Sequence, residues 1–319
     1  MSSDVAGSPL APVVPDEPRS DGTTPATPRT SQAPPRRRGP AAFWAGLKRF
    51  VRTEKLGAVS LTLITIFVVL AVFAPLLAPY DPLLQHRRNI TEAPSGTFWL
   101  GTDDLGRDVL SRLVYGARAS MVVSVVTTVV SLVLGTAIGV VSGFLGKRWD
   151  LVIQRLMDAI QSVPPLILLL FLAVVLTPSM TSTIVALTIV ITPSFNRVAR
   201  GETLRIREET YIEAARSTGS SALRTMVRHV LPNMAAPMMT MASLLFAGVI
   251  IAESALSFLG IGTPPPTPSW GGMLSSGARY VELAPWLILA PGIVLSIAVF
   301  SFNLLGDALR DFFDPRLQR

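Results

Sequence analysis

Six apolar segments of membrane-spanning length constrain the fold of this chain more than any other feature. A helix needs about 20 apolar residues to cross a ~30 Å hydrocarbon core, and 50% of the 319 residues are hydrophobic while only 15% are charged. Backbone amides cannot remain unpaired in lipid, so such segments must be helical. We therefore predict an all-α membrane protein with six transmembrane helices. The spans are predicted at 56–77, 120–144, 151–176, 182–198, 234–251 and 283–305.

The segments between the spans divide the chain into parts. The first 40 residues contain nine prolines, and such polar, proline-rich sequence cannot bury enough apolar area to offset the entropy of ordering. We predict a disordered tail there, followed by a basic amphipathic segment at 43–55 that suits a lipid surface. The predicted parts are the cytoplasmic tail and amphipathic segment 1–55, a first transmembrane helix 56–78, an extracytoplasmic loop 79–117, a five-helix core 118–307 with a loop at 200–232, and a cytoplasmic tail 308–319.

The distribution of Lys and Arg predicts the orientation. With the amino terminus in the cytoplasm, 22 of the 28 basic residues lie inside and 6 outside. The positive-inside rule therefore places both termini on the cytoplasmic side of the membrane. The formal charge of +7 is thus explained by the excess of Lys and Arg on the cytoplasmic side. We therefore expect contacts with membrane lipid and no nucleic-acid partner. The absence of cysteine excludes disulfides and thiolate chemistry.

A polar block at 211–233 interrupts the apolar second half of the chain. Thr210 and Glu213 have the spacing of a capping box, which predicts a short helix beginning there. Gly219 is placed to end this helix in the left-handed conformation, and either of the two serines that follow can cap a second helix. Pro232 predicts where the chain turns again. Two short helices joined at a glycine are therefore expected.

This block resembles the coupling loop of importer-type ABC transporter permeases. It has the order Glu-Ala-Ala, three residues, Gly, and a later Leu-Pro at the spacing of that family. The resemblance implies that the block docks on an ATP-hydrolysing subunit, with Arg224 and Arg228 supplying further charge. His229 is similar to the peptide-importer branch and is interpreted as structural. The residues assigned to ATPase coupling are Glu213, Ala214, Ala215, Arg216, Gly219, Leu231 and Pro232.

Two further stretches resemble the second permease subunit of dipeptide and oligopeptide importers. They are residues 101–120, which begin Gly-Thr-Asp-Asp-Leu-Gly-Arg-Asp, and residues 252–272, which contain Glu-Ser-Ala-Leu-Ser-Phe-Leu-Gly-Ile-Gly and a proline cluster. In the first, the Asp and Arg residues are expected to form internal salt bridges and helix caps. The second is expected to contact a substrate-binding protein or to dip into the translocation pathway.

The resemblance implies a type I ABC importer permease fold and an alternating-access mechanism. The implied partners are a homologous permease, two ATPase subunits that carry ATP and Mg²⁺, and an extracytoplasmic substrate-binding protein. This chain would be non-catalytic and bind no cofactor or metal. Its one near-match to a nucleotide loop fails, because Arg148 replaces the required Ser or Thr after Lys147 and Val141 stands where Gly is needed.

Polar residues within the apolar segments are candidates for pathway or pairing roles. Glu253 and Asn303 are the predicted pathway residues, and Asp158 is expected to pair with Arg155. The prolines within the segments can bend spans. Glycines at positions 135, 139 and 143 predict a close approach of another helix to the second span.

Two alternatives remain open from the sequence. The same architecture imports nickel, glutathione or other small polar solutes in relatives of the peptide branch, because external binding proteins largely set selectivity. A more distant alternative is an ion-driven secondary transporter, which would need acidic relays at mid-membrane, whereas the carboxylates here lie near the ends of the spans.

Overall fold

A computed structural model describes Phe50 and residues 54–313 of the chain. The predicted proline-rich tail, most of the amphipathic segment 43–55 and the last six residues lie outside the described part. Apart from one isolated bridge between Thr102 and Asp108, the described residues contain helices, turns and loops. The helices are α1 Lys55–Val72, α2 Ala74–Leu77, α3 Val109–Leu145, α4 Lys147–Ser162, α5 Pro165–Val175, α6 Met180–Arg207, α7 Thr210–Ser217, α8 Ala222–Thr225, α9 Leu231–Phe258, α10 Trp270–Ala278 and α11 Trp286–Phe313, with a π-helical turn Met226–Val230 between α8 and α9.

Five of the described helices are long and apolar enough to cross a membrane, or six if α4 and α5 are one bent span. The predicted third span, 151–176, is divided between these two helices, which meet at 91°. Val163 is extended, with φ −88° and ψ 131°. The two prolines that follow it disfavour helix before them and donate no backbone hydrogen bonds. A bend of the kind predicted at prolines therefore occurs at Pro164.

Helix α3 begins at Val109, well before the predicted start of the second span at 120. Asp108 caps it by accepting hydrogen bonds from the Ser111 amide (2.8 Å) and hydroxyl (2.6 Å). Arg112, on the first turn, lies 3.3 Å from Asp103, which also pairs with Arg107 at 2.7 Å. The folded loop thus satisfies the polar side chains of this turn and lets the helix start early. The predicted internal pairs and cap are confirmed.

Glycines at 135, 139 and 143 bring α3 into backbone contact with α6. A Cβ atom at Gly139 would lie 2.6 Å from the Asn196 carbonyl oxygen and 2.7 Å from the Ala199 Cβ. A methyl group at Gly135 or Gly139 would force the two helices apart, and one at Gly143 would make a tight contact of 3.0 Å with the Thr203 Cβ. The predicted close approach is confirmed, and the approaching helix is α6.

Apolar clusters lie at both ends of α3. At its amino-terminal end, Trp270 is fully buried, donates from Nε1 to the Leu113 carbonyl at 3.2 Å, and meets Phe67 edge-on at 5.7 Å between ring centroids. At its carboxy-terminal end, Phe144 joins a cluster that includes Ile206 and Ile212. This second cluster fixes the position of the polar block.

Replacing Gly139 with alanine is expected to destabilise the chain by about 1–3 kcal/mol, because the added methyl forces α3 and α6 apart. Gly248→Ala is the matched control, since its Cβ meets nothing within 4 Å and alanine favours helix by about 0.5–1 kcal/mol over glycine. Thermal unfolding of the detergent-purified chain measures both variants. Equal midpoints for the two variants would contradict the packing role of Gly139.

Candidate docking site

The polar block folds into a hairpin of residues 208–233, made of α7, α8, the π-helical turn and the first three residues of α9. Its first helix does not begin with the predicted capping box. Glu209 is the N-cap residue and makes no side-chain cap bond, and its carbonyl accepts from the Ile212 amide at 2.9 Å. Thr210 already lies in the first helical turn, so its hydroxyl is in the wrong position to cap the helix. The capping-box prediction is wrong, although the helix it implied exists.

Gly219 ends α7 as predicted. Its φ is +82°, and its amide donates to the Arg216 carbonyl at 2.9 Å while the Ser220 amide donates to the Ala215 carbonyl at 3.0 Å. These two bonds form a Schellman motif, which requires a left-handed residue at this position. Ser221 then caps α8 by accepting from the Arg224 amide at 3.4 Å, which was one of the two predicted possibilities.

Pro232 does not turn the chain. It lies in the first turn of α9, directly after the π-helical turn, and the helix continues through it to Phe258. Proline is tolerated in a first turn because its missing amide is not needed there. The side chain of Asn233 donates to the His229 carbonyl at 2.6 Å. The prediction of a turn at Pro232 is therefore wrong.

The inner face of the hairpin is anchored to the helix bundle. Ile212 is fully buried within the cluster at the end of α3. The Arg216 guanidinium lies 4.8 Å from the Phe144 ring centroid, a cation–π contact. Arg207 donates to the Phe144 carbonyl at 3.2 Å, and the Tyr211 and His229 rings approach to 6.4 Å. The hairpin is thus tied to α3, α6 and α9.

The outer face of the hairpin is exposed. Of the predicted coupling residues, Glu213, Ala214, Gly219, Leu231 and Pro232 are exposed and Ala215 is half-buried. Arg216 is also exposed, although its guanidinium contacts Phe144 on the inner face. Sequence reasoning missed Leu223 and Val227, which are 69% and 55% exposed. Their spacing of four places them on one face of the chain, and apolar side chains on an otherwise polar segment were the available signal.

The two predicted pathway residues lie in different environments and share no hydrogen bond. Glu253 is fully buried and accepts hydrogen bonds from the Ser257 hydroxyl at 2.8 Å and the Ser254 hydroxyl at 3.4 Å. Asn303 lies exposed on α11.

Asp158 does not pair with Arg155. It lies 3.6 Å from Arg197 of α6, because α4 packs beside α6 while Arg155 lies on the exposed side of α4. Within residues 54–313 and Phe50, no group of three or more His, Asp or Glu side chains is placed to hold a metal ion.

These features define a class of protein: a helical membrane protein whose described part carries an exposed polar hairpin anchored to the helix bundle. Comparisons with known proteins place the chain in a family. Residues 135–319 match the family described as the binding-protein-dependent transport system inner membrane component. Residues 43–94 match the N-terminal TM domain of oligopeptide transport permease C.

Two relatives are similar over most of this chain. It is 36% identical over 293 residues to the dipeptide transport system permease protein DppC of Alkalihalophilus pseudofirmus, covering 92% of this chain and 96% of that protein. It is 40% identical over 269 residues to the di/tripeptide transport system permease protein DppC of Pseudomonas aeruginosa, covering 82% and 88%.

The fold is also similar to a chain of the MetNI methionine ABC transporter in an inward-facing conformation. The TM-score is 0.54 at 19% identity, over 64% of this chain and 98% of that chain, which supports the fold alone. The chain belongs to the family of binding-protein-dependent transport system inner membrane components. The ABC permease family and the helical membrane fold predicted from the sequence are confirmed.

Gly219→Val is expected to destabilise the hairpin turn by about 1–2 kcal/mol, because a β-branched residue would be held in the left-handed region. A Cβ there would meet nothing within 4 Å, so the effect isolates backbone strain from crowding. Hydrogen exchange of the amides of residues 210–225 measures it. Gly219→Asn is the control, since Asn tolerates this conformation; equally fast exchange in wild type and the Val variant would contradict the account.

Proposed function

We propose that this chain is a permease subunit that forms half of the membrane pathway of an ATP-driven importer of di- and oligopeptides. The peptide cargo is supported by the names of its relatives, which are dipeptide and di/tripeptide transport permeases. The observation that carries the coupling role is the hairpin, which buries Ile212 in the bundle and exposes Leu223 on its outer face. Exposed apolar groups on a polar rim are typical of protein-contact surfaces.

Movement of the hairpin would be transmitted to the membrane helices through its anchored face. Ile212 packs among residues of α3, α6 and α9, and Arg216 and Arg207 both reach Phe144 at the end of α3. A push on α7 would therefore displace these helix ends together instead of bending the hairpin. If closure of the ATPase subunits supplies that push, the membrane pathway would alternate between inward and outward opening.

The working complex contains a homologous permease, two ATPase subunits and an extracytoplasmic substrate-binding protein, surrounded by membrane lipid. ATP and Mg²⁺ belong to the ATPase subunits, because this chain lacks the Ser or Thr that a phosphate-binding loop needs after Lys147. The permease itself makes and breaks no covalent bond. Its part is to provide the pathway and to receive the ATPase at the hairpin through Glu213, Ala214 and the apolar Leu223.

Both termini and the hairpin face the cytoplasm of a bacterial inner membrane in this proposal. The support is the excess of Lys and Arg on that side. The hairpin lies at the carboxy-terminal end of α3, next to Phe144. The loop that contains Asp103 and Arg107 packs at the opposite, amino-terminal end of the same helix.

Single cysteines can test this orientation, because the chain has none of its own. Thr218→Cys lies exposed in the hairpin and Gly96→Cys lies exposed in the loop. A membrane-impermeant maleimide added to intact spheroplasts is expected to label position 96, and to label position 218 only after the membrane is opened. Labelling of position 218 in intact spheroplasts would contradict the proposed topology.

Glu253 and Asn303 remain proposed pathway residues. Glu253 is buried under Ser254 and Ser257 in this conformation, so it reaches the pathway only if α9 moves relative to its neighbours. Glu253→Gln is expected to slow peptide uptake while leaving the complex assembled. Normal uptake by this variant would remove Glu253 from the pathway.

Leu223→Asp is expected to weaken capture of the ATPase subunits by roughly 2 kcal/mol or more, the size of a central contact residue. Leu283→Asp is the matched control. Leu283 is 68% exposed, close to the 69% of Leu223, and it lies outside the hairpin. Co-purification of ATPase subunits with each tagged variant measures the effect. Full retention of the ATPases by Leu223→Asp, or an equal loss in both variants, would contradict the docking site.

A further inference from the structure

Helix α4, Lys147–Ser162, carries three different faces that the coupling hairpin does not use. Side chains three, four and seven positions apart share a face of a helix. On this basis one stripe of α4 packs on α6, a second stripe is basic and a third is apolar. Each of the five single-helix candidate spans contains an 18-residue apolar stretch, whereas α4 has charged residues from its first turn to Asp158, so α4 has a different relation to lipid.

The packed stripe fixes the orientation of α4. Asp150 accepts two hydrogen bonds of 2.6 Å from Arg200 of α6 and one of 2.5 Å from Ser142 of α3. Gln154 donates to the Ser142 hydroxyl at 2.8 Å and to the Asn196 side-chain carbonyl at 3.2 Å. Because these bonds come from two helices, α4 cannot rotate about its axis without breaking them. The other two stripes therefore face outward.

The apolar stripe consists of Trp149, Val152 and Leu156. They are 67%, 60% and 60% exposed, so the described part of the chain leaves them largely uncovered. Their spacing of three and four residues forms one continuous strip. Tryptophan is enriched where hydrocarbon meets headgroups, which favours a membrane surface as the environment of this strip.

The basic stripe contains Lys147, Arg148 and Arg155, all exposed. Among the described residues none of the three has a carboxylate within 4.0 Å. The two carboxylates of α4 are already paired with arginines of α6. An open cleft of about 550 Å³ beside the stripe is lined by side chains of both charges, namely Lys147, Arg155, Arg200, Asp150 and Asp158, together with Leu151 and Gln154. Since both aspartates are paired with arginines of α6, the three basic residues of the stripe have no partner carboxylate among the described residues.

The bend between α4 and α5 orients these stripes relative to the bilayer. The two helices meet at 91°, and α5 is wholly apolar with Ile167 and Phe171 exposed, as expected for a helix in hydrocarbon. With α5 entering the hydrocarbon core, α4 lies along the membrane surface. A surface helix places its apolar strip towards the acyl chains and its basic strip at the headgroups.

We propose that α4 forms a binding site for the headgroups of anionic phospholipids, in the leaflet on the side of the hairpin. Arg148 and Arg155 would donate charge-assisted hydrogen bonds to phosphate oxygens, with the acyl chains lying along Trp149. Charge complementarity favours this occupant, because phosphate oxygens supply the negative partners that Arg148 and Arg155 lack among the described residues, and an apolar protein surface supplies none. Because Asp150 ties α4 to α6, lipid bound here contacts the helix that leads into the hairpin.

The test uses the purified transporter complex with a fluorophore on Ala159→Cys, an exposed position beside the two outer stripes. Titration with phosphatidylglycerol is expected to change the fluorescence, and phosphatidylcholine to leave it unchanged. The double substitution Arg148→Gln and Arg155→Gln in the labelled protein should raise the midpoint, which is the phosphatidylglycerol concentration at half-maximal fluorescence change, roughly 10- to 30-fold. Each basic residue near an anionic surface contributes about a factor of five in affinity.

The matched control removes two other exposed, unpaired arginines of the described chain, Arg87→Gln and Arg88→Gln, and is expected to leave the midpoint unchanged. An unshifted midpoint in the Arg148 and Arg155 variant, or an equal shift in the control, would overturn the proposal. A fluorophore that responds to neither lipid would also overturn it, because α4 would then be covered by a partner subunit. The site does not depend on the cargo or on ATPase docking.

Discussion

The close contact between α3 and α6 is the interaction on which the rest of the structure depends. At Gly139 the two backbones approach so closely that even a methyl group would meet the Asn196 carbonyl oxygen at 2.6 Å. This contact aligns the carboxy-terminal ends of both helices, where Arg207 reaches the Phe144 carbonyl. Only Glu208 and Glu209 separate α6 from α7. The position of the hairpin is therefore set by the packing of α3 on α6.

Buried polar groups hold the two ends of α3 to its neighbours. At one end, the Ser120 hydroxyl of α3 accepts from the Trp270 amide at 3.4 Å. At the other end, Ser142 donates to Asp150, which Arg200 also binds. In a membrane protein such groups must find partners within the protein. These polar contacts therefore determine which helices move together with α3. The apolar helix surfaces between the two contacts remain available to lipid or to another protein.

The sequence was informative where a pattern is local and its chemistry is specific. Gly219 could be placed in a left-handed turn because glycine alone occupies that conformation at no steric cost, and the glycine repeat predicted a close helix contact. Thr210 was placed wrongly because its role depends on where α6 ends, which is set by packing. Pro232 was misjudged because proline either ends a helix or begins its first turn, and only the structure distinguishes the two.

Tertiary contacts decided the remaining differences. Asp158 pairs with Arg197 and not with its helical neighbour Arg155, because α4 packs on α6. The spacing of residues within α4 does not predict this pairing. The early start of α3 depends on Asp103 in a preceding loop. The outer-face residues Leu223 and Val227 were overlooked because apolar side chains in a membrane protein are ordinarily assigned to lipid or core, and their exposure at the hairpin became visible only in the folded chain.

The most direct test of the central claim is uptake of a radiolabelled dipeptide by the complete complex in proteoliposomes, with the substrate-binding protein on the side opposite the hairpin. If the chain is a permease subunit of an ATP-driven importer, accumulation requires ATP on the hairpin side and is unaffected when ion gradients are collapsed. Accumulation without ATP, driven by a proton or sodium gradient, would contradict it.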